Sequence, residues 1–154
     1  MATLKAAALA LLTGDTALGI KFTGGFFDAD GLPNDGLTLD TIAKEANGVT
    51  IKPTGVLRWR EANPVAGPNY AVRRFVEIYL YDDVSHGREN IDYGKRRIWE
   101  LLHKKYLSGT SNEGFAYFVW VGDLGEVPNN DRDDVLMANM GRSRYQVDMT
   151  RKNS

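Results

Sequence analysis

The sequence predicts an α+β domain in which a mostly antiparallel sheet of about four to six strands packs against two main helices. The stretch from Phe75 to Tyr81 is β-branched and aromatic, which is typical of a strand. Directly after it, Ile91, Ile98 and Leu102 recur at helical spacing among charged neighbours. A strand that leads into an amphipathic helix predicts a helix laid across a sheet.

Composition fits a single domain over residues 1–154. The chain is 43% hydrophobic and 25% charged, with 19 basic and 20 acidic residues and a net charge of −1. No global field therefore draws it to nucleic acid or to an anionic membrane. The chain has no cysteine, which excludes disulfides, thiolate nucleophiles and cysteine-type zinc sites and fits a reducing compartment.

The first element predicted is a helix from Leu4 to Gly14, with Leu4, Leu11 and Leu12 on one side. This interpretation is favoured over a signal peptide, because the start carries only Lys5 and lacks a small-residue cleavage site. No apolar run approaches the ~20 residues that a membrane span needs. We expect a protein made in the cytoplasm that does not enter a membrane.

Residues 20–48 carry weaker signals. A short strand is predicted at 20–23, ended by Gly24-Gly25, and a turn-rich stretch follows at 28–36. A short helix from Thr38 to Asn47, closed by Gly48, is predicted next.

A hairpin is predicted in the middle of the chain. Residues 49–52 and 56–60 favour strands interrupted at Pro53, and the segment 63–69 is a turn by composition. An antiparallel pairing of residues 55–61 with 71–81 follows.

The second half is predicted as helix, strand, loop and strand. The helix runs from Gly87 to about residue 107 and ends in Ser108-Gly109-Thr110. Residues 115–121 are apolar on both faces, which places that strand centrally or in a subunit interface. Residues 122–141 form a long acidic connection, and 142–150 alternate as a strand with one wet or partner-facing side.

A search for chemistry predicts no catalytic, cofactor-binding or metal-binding residues. Gly24-Gly25 lacks the flanking pattern of a phosphate loop and is interpreted as a turn. The run Asp28-Ala29-Asp30-Gly31 lacks most ligands of a calcium loop. His86 and His103 do not have metal-ligand spacing and are interpreted as surface histidines, with His103 on the exposed side of the helix.

Two charged regions keep alternatives open. Asp131, Asp133 and Asp134 could hold magnesium or calcium, although clustered carboxylates are usually solvated. Basic clusters at 73–74, 95–97, 104–105 and 142–144 could contact phosphates, although acidic residues interleave with them. A basic helix and an acidic 123–134 segment are also complementary in the way that adjacent subunits of a ring can be.

The order of these features resembles the tail-terminator family of long-tailed bacteriophages and the related tail-completion and neck proteins. The matching pieces are an N-terminal Ala/Leu helix ending in a turn (4–18), a short strand with a Gly- and Pro-bearing loop (24–33), a hairpin whose second strand is Arg74–Tyr81, a long helix (87–106), and two final strands separated by a long loop. The connections at 30–55 and 122–141 are longer than the commoner pattern of the family.

The resemblance implies a structural virion protein rather than an enzyme. It implies a homo-oligomeric ring, usually a hexamer, that is assembled in the host cytoplasm and sits in the virion at the head-proximal end of the tail. Its implied partners are other copies of itself, the tail tube protein and the head-tail connector or neck protein. The implied action is to cap the tube and join it to the connector; DNA can pass through the ring without sequence-specific binding.

Aromatic residues are the candidate anchors for such contacts, since they dominate protein interfaces. The candidates are Phe26, Phe27, Trp59, Trp120 and Tyr145, each of which could instead lie in the core. Two other functions remain open from the sequence: a nucleic-acid- or protein-binding adaptor acting through the 88–105 helix, and a small metal-dependent enzyme using the 123–134 carboxylates.

Overall fold

Three helices and eight strands make up the part of the chain that a computed structural model describes, namely residues 3–32, 42–60, 63–64, 71–108, 115–123, 132–133 and 138–150. The helices are α1 (Leu4–Gly14), α2 (Thr16–Lys21) and α3 (Glu89–Leu102). The strands are β1 (Gly25–Asp28), β2 (Thr54–Trp59), β3 (Asn63–Pro64), β4 (Ala71–Asp83), β5 (Lys105–Ser108), β6 (Phe115–Asp123), β7 (Arg132–Asp133) and β8 (Ala138–Thr150). The predicted α+β class is confirmed.

The strands form one sheet in the order β1-β2-β4-β8-β6-β5, with β3 pairing β4 and β7 pairing β8 off this path. β1 and β2 are parallel, and the other described pairs are antiparallel. The predicted hairpin is confirmed as the β2–β4 pair, in which Trp59 lies opposite Val76. β6, expected to lie centrally or in a subunit interface, lies between β8 and the edge strand β5.

All three helices contribute to a core on one side of the sheet, called here the covered face. Val76, Ile78 and Leu80 point into this core from β4, as their alternation predicts. Leu12 of α1 and Ile98 of α3 pack in the same cluster. α1 contacts both edge strands, β1 and β5, so the sheet curls around the helices.

The opposite side of the sheet, called here the open face, carries no helix of the described residues. The alternating side chains of β4 and β8 that do not enter the helix-packed core point to it. At one end it is covered by residues 42–52, where Ile42 and Ile51 pack on Ala138 and Tyr81.

A buried carboxylate fixes the start of α3 against the sheet. Asp82 is fully buried at the end of β4, and its oxygens accept from Asn90 Nδ2 at 2.9 Å and contact His86 Nδ1 at 2.7 Å. The Arg88 guanidinium donates to the carbonyl of Met140 at 3.0 Å, which ties the same turn to β8. These bonds attach the start of α3 to β4 and β8.

The predicted strand at 20–23 is wrong, because α2 occupies residues 16–21. Asp15 separates α1 from α2, and its carboxylate accepts from the Leu18 N–H at 3.0 Å. That side-chain cap satisfies a backbone donor that the first turn of a helix leaves free. The strand begins instead at Gly25, where φ is +88°.

The predicted helix at 38–47 is also wrong over its described part, residues 42–47; residues 38–41 lie outside the described residues. Lys44 forms an isolated antiparallel bridge with Ile51, which is the only pairing of the predicted 49–52 strand. Asn47 Oδ1 accepts from the N–H groups of Val49 and Thr50, both at 2.9 Å. Such an Asx turn competes with helix formation.

The helix predicted to reach residue 107 ends at Leu102. His103 has extended backbone angles and Lys104 lies at φ +57°. The Lys104 N–H then donates to the carbonyl of Phe118 at 2.7 Å, and the chain continues as β5. Pairing with β6 satisfies these backbone groups, which helical periodicity alone does not reveal.

The 122–141 connection is shorter than predicted. Residues 122–123 belong to β6, 132–133 pair with β8 as β7, and 138–141 already belong to β8. Within the predicted 63–69 turn, Asn63 and Pro64 pair with β4. The remaining residues of both connections, and of the predicted helix-ending loop after Ser108, lie outside the described residues.

Candidate interaction surfaces

The open face carries a cluster of charge in the middle of the sheet, which we call the arginine face. It contains Arg58, Arg60, Arg73, Arg142, Arg144, Glu77 and Asp148. Arg58, Glu77 and Arg144 lie side by side across β2, β4 and β8, and Arg73 lies opposite Asp148. This set contains five arginines and two carboxylates.

Glu77 is neutralised by its own neighbour. Arg60 Nε and Nη2 donate to its two oxygens at 2.8 and 3.1 Å, and the Tyr79 hydroxyl donates to it at 2.7 Å. The hydrogen bond from Arg60 outweighs burial and holds the pKa of Glu77 below its ordinary value. Burial and the Glu77 carboxylate raise the pKa of Tyr79. Glu77 is therefore ionised at neutral pH, and both of its carboxylate oxygens accept hydrogen bonds.

Asp148 likewise accepts hydrogen bonds from neighbouring side chains at both of its carboxylate oxygens. Arg73 Nε donates to Asp148 Oδ1 at 2.8 Å, and Gln146 Nε2 donates to Asp148 Oδ2 at 3.2 Å. The fork from Arg73 is completed by a longer contact of 3.5 Å from Nη2 to Oδ2. Glu77 and Asp148, the two carboxylates of the arginine face, thus accept hydrogen bonds from Arg60 and Arg73 respectively.

Two of those three arginines lie over aromatic rings. The Arg144 guanidinium is 4.1 Å from the centre of the Phe75 ring, and that of Arg58 is 5.7 Å from the Tyr79 ring. A guanidinium stacked on a ring keeps its N–H donors in the plane, where they can reach an acceptor. The Nε atoms of Arg142 and Arg144 are buried and make no hydrogen bond.

Five side chains near the β5 edge of the sheet are called here the β5-edge cluster: Trp99, His103, Tyr106, Trp120 and Val121. By strand register Tyr106 lies on the open-face side, with Tyr117, and Trp120 lies on the covered-face side, opposite Tyr145. The Trp99 and His103 rings stack at 4.9 Å, and His103 Nδ1 accepts from the Trp120 N–H at 3.0 Å. Tyr106 packs on Tyr117 yet is 71% exposed. Trp99 is 42% exposed, Trp120 41% and Val121 52%. Apolar side chains this exposed are common at protein interfaces.

The β1 edge carries an exposed apolar side chain and an unusual carboxylate. Phe27 on β1 is exposed. Asp28 Oδ1 and the Trp59 indole Nε1 are both buried without a hydrogen bond. Burial raises the pKa of Asp28, and the nearby Lys5 ammonium offsets only part of that effect.

In the run 28–31, which has a weak likeness to a calcium loop, Asp28 is the last residue of β1 and Ala29–Gly31 form a short 3₁₀ helix. Asp30 is engaged by Lys5, whose Nζ lies 3.0 Å from Oδ2. No group of three or more His, Cys, Asp or Glu that could hold a metal occurs among the described residues. Gly24 of the Gly24-Gly25 pair lies so close to Thr54 and Pro53 that no side chain fits, which favours the tight-turn interpretation.

The two histidines are structural in different ways. His86 lies in the turn before α3, as predicted, and its hydrogen bond to Asp82 raises its pKa above the ordinary value. His103 was expected on the exposed side of the helix. It is instead the residue that follows α3, at its C-terminal cap, before β5 begins. Its ring is held between Trp99 and the Trp120 N–H.

The basic face predicted for α3 is largely neutralised. Arg97 forms a fork with Asp15, at 2.7 and 3.0 Å, and also bonds Glu100 at 3.0 Å. Those two carboxylates raise the pKa of Arg97. An open groove of about 710 Å³ beside the helix is lined by Glu89, Asp92, Tyr93 and Arg96, so its charges are mixed.

The aromatic candidates divide between core and surface. Tyr145 and Phe26 are buried, and Trp59 is half-buried with its ring edge-on to Phe118 at 6.3 Å. Phe27 and Trp120 are exposed at opposite edges of the sheet. Of the acidic 123–134 candidates, Glu126, Asp131 and Asp134 lie outside the described residues, and so do the side chains of Asp123 and Asp133.

Sequence reasoning missed the arginine face as a unit, because its members come from three strands. One signal did point to it: Arg142 and Arg144 share one face of the last strand, of which one side was predicted to be wet or partner-facing. Within the described residues, no helix is long and apolar enough to cross a membrane. No protein-family model and no curated protein sequence matches this chain.

Proposed function

We propose that this protein is a structural component of a long-tailed bacteriophage virion. It forms a homo-oligomeric ring, hexameric in the form favoured by the family resemblance, that caps the tail tube and joins it to the head-tail connector. Its partners are other copies of itself, the tube protein and the connector or neck protein. It is a tail terminator or a closely related tail-completion or neck protein, assembled in the host cytoplasm and not acting as an enzyme.

The observation that carries this proposal is the placement of exposed apolar side chains at both edges of one sheet. The β5-edge cluster lies at one edge, and Phe27 lies at the other. These two surfaces differ in composition, so they favour a contact between unlike surfaces over a two-fold contact. Repeated contacts of this heterologous kind close into rings when the rotation between subunits allows it.

Strand direction is compatible with the same arrangement. Following the pairings across the sheet, β1 is parallel to β2, and the four antiparallel steps to β5 return the chain to the direction of β1. An edge contact between β5 of one copy and β1 of the next would therefore be parallel when the copies are related by a ring axis along the strands. A two-fold contact between β5 edges would be antiparallel.

The first experiment is to measure the mass of the purified protein by light scattering, with negative-stain images alongside. Discrete rings, or monomers that form rings when isolated tail tubes are added, are the expected result. A monomer that stays monomeric at every concentration and does not bind tubes would contradict the proposal.

Cysteine crosslinking tests which surfaces meet, since the chain has no cysteine of its own. Phe27→Cys and Tyr106→Cys place one thiol at each edge, and Val49→Cys, 77% exposed and in neither edge surface, is the control. A mixture of the two edge variants should form a disulfide under mild oxidation, whereas each alone and the control should not. Efficient Tyr106→Cys homodimers would instead show a two-fold edge contact.

A further inference from the structure

Two consecutive carboxylates at the end of β4 connect the two sides of the sheet. Asp82 points to the covered face, where it holds His86 in the turn before α3. Asp83 points to the open face, because neighbouring residues of a strand alternate between faces. Its Oδ1 accepts a hydrogen bond from the Ile51 N–H at 3.2 Å. The end of β4 therefore attaches the start of α3 to one face and residues 42–52 to the other.

Residues 42–52, called here the strap, form a small unit of their own. Two cross-strap backbone hydrogen bonds of 2.8 and 3.0 Å close the segment on itself. Ile42 and Ile51 of the strap pack on Ala138 and Tyr81 in a cluster that is separate from the helix-packed core. A segment with its own small cluster can open locally while the main core stays folded.

His86 lies between these two attachments. Its Nδ1 is 2.7 Å from Oδ1 of the fully buried Asp82, and the preceding residue, Ser85, donates its N–H to Asp83 Oδ2 at 2.9 Å. The hydrogen bond to Asp82 is the largest cause of the raised pKa of His86, and the carboxylates of Asp83 and Glu45 add to it. Glu45 belongs to the strap, so a charged imidazole attracts groups on both faces of the sheet.

The elements around His86 carry other charged residues as well. These residues are Lys44 and Lys52 in the strap and Arg88 and Glu89 at the start of α3. The Arg88 guanidinium donates to the carbonyl of Met140 at 3.0 Å, which directs it to β8. β8 also reaches the His86 turn through an uncharged group, the Asn139 amide, which donates to the Gly87 carbonyl at 3.0 Å. The groups that favour a proton on the imidazole are thus the carboxylates on β4 and in the strap.

We propose that a proton on His86 is coupled to the docking of the strap, so that the charged imidazole favours the docked strap and loss of the proton favours its release. Neutral His86 can still donate a hydrogen bond to Asp82 from Nδ1, but it no longer attracts Asp83 and Glu45. Release would uncover Tyr81 and the adjoining end of the open face. This proposal does not depend on the ring.

The first test uses the reciprocity of coupling: if a proton on His86 favours docking, a loosened strap must bind that proton more weakly. An NMR titration of the full chain follows the His86 imidazole, which is assigned by its absence in His86→Gln. Ile51→Ala removes packing from the strap without changing a charge. It should lower the proton affinity of His86 about 2- to 5-fold, the range of a partly exposed charge pair. Glu45→Gln, an exposed change, should lower it in the same direction.

The matched control is Val49→Ala, which also shortens an apolar side chain of the strap, but one that is 77% exposed. It should leave the proton affinity of His86 equal to that of the unchanged protein. Circular dichroism confirms that each variant is folded.

The second test is hydrogen exchange of the strap amides at about pH 6 and about pH 8.5, corrected for the intrinsic exchange rate at each pH. Protection of residues 42–52 should fall about 2- to 5-fold as pH rises in the unchanged protein and should stay constant in His86→Gln. Amides of β4 report global unfolding and should remain more protected than those of the strap.

Three results would overturn the proposal. Ile51→Ala could leave the proton affinity of His86 equal to that in Val49→Ala, or raise it. Protection of the strap could fall with pH as much in His86→Gln as in the unchanged protein, which would assign the effect to another group. The strap amides could also exchange only together with those of β4, which would show that the strap does not open by itself. The exchange experiment leaves the strap sequence unchanged, so it decides the question even if Ile51→Ala does not fold.

Discussion

Two helical glycines give a sharp test of how α3 packs on the sheet. Gly94 faces the core, and a Cβ built there would lie 2.5 and 2.6 Å from atoms of the Phe22 ring and 3.0 Å from Leu80 Cδ1. Gly19, in α2, has nothing within 4 Å of the same position. Alanine at both sites removes the same backbone freedom but only at Gly94 meets a packed neighbour.

The magnitudes follow from two opposing effects. Replacing glycine by alanine inside a helix gains about 1 kcal/mol in an open position, and somewhat less in a helix as short as α2. Overfilling a packed core costs about 1–3 kcal/mol. We therefore expect Gly19→Ala to raise the free energy of unfolding by about 0.5–1 kcal/mol and Gly94→Ala to lower it by about 0–2 kcal/mol.

Urea unfolding followed by circular dichroism measures both variants, and a third variant identifies the cause. Phe22→Leu removes the ring atoms that the new methyl group would meet. In that background Gly94→Ala should become neutral or stabilising, so the two changes should couple. If Gly94→Ala is as stabilising as Gly19→Ala in the unchanged background, α3 does not pack against Phe22 as described.

Three further predictions concern buried charge. Glu77→Gln should lower the free energy of unfolding by about 1–2 kcal/mol at neutral pH. Because the pKa of Glu77 is lowered in the folded protein, this difference should disappear as pH falls through that pKa. An unchanged urea midpoint at pH 7 would contradict the prediction. The pKa of His86 is raised, so its stabilising effect is complete below about pH 6.5 and is lost as pH rises through its folded pKa. His86→Gln should therefore lower the free energy of unfolding more near pH 5.5 than near pH 8.5. Equal decreases at the two pH values would refute the role given to Asp82. The pKa of Asp28 is raised by burial, so its ionised form destabilises the folded protein at neutral pH. Asp28→Asn should therefore raise Tm at neutral pH and not below about pH 3.8, where the carboxyl is protonated. A lower Tm at neutral pH would contradict burial as the cause.

Elements with strong periodic patterns were predictable from the sequence. The alternation of Val76, Ile78 and Leu80 placed β4 and its covered face correctly, and the apolar run at 115–121 placed β6. Both lie in the interior of the sheet, where burial on one or both faces leaves a direct trace in residue type. The first helix was predicted for the same reason.

Elements fixed by contacts distant in sequence were not predictable. The path from α3 to β5 depends on His103 meeting Trp120 and on Lys104 meeting Phe118, partners 17 and 14 residues away. Helical spacing continues through Tyr106, so the pattern alone extends the helix. The arginine face has the same origin, because register across three strands, rather than any local motif, gathers its members.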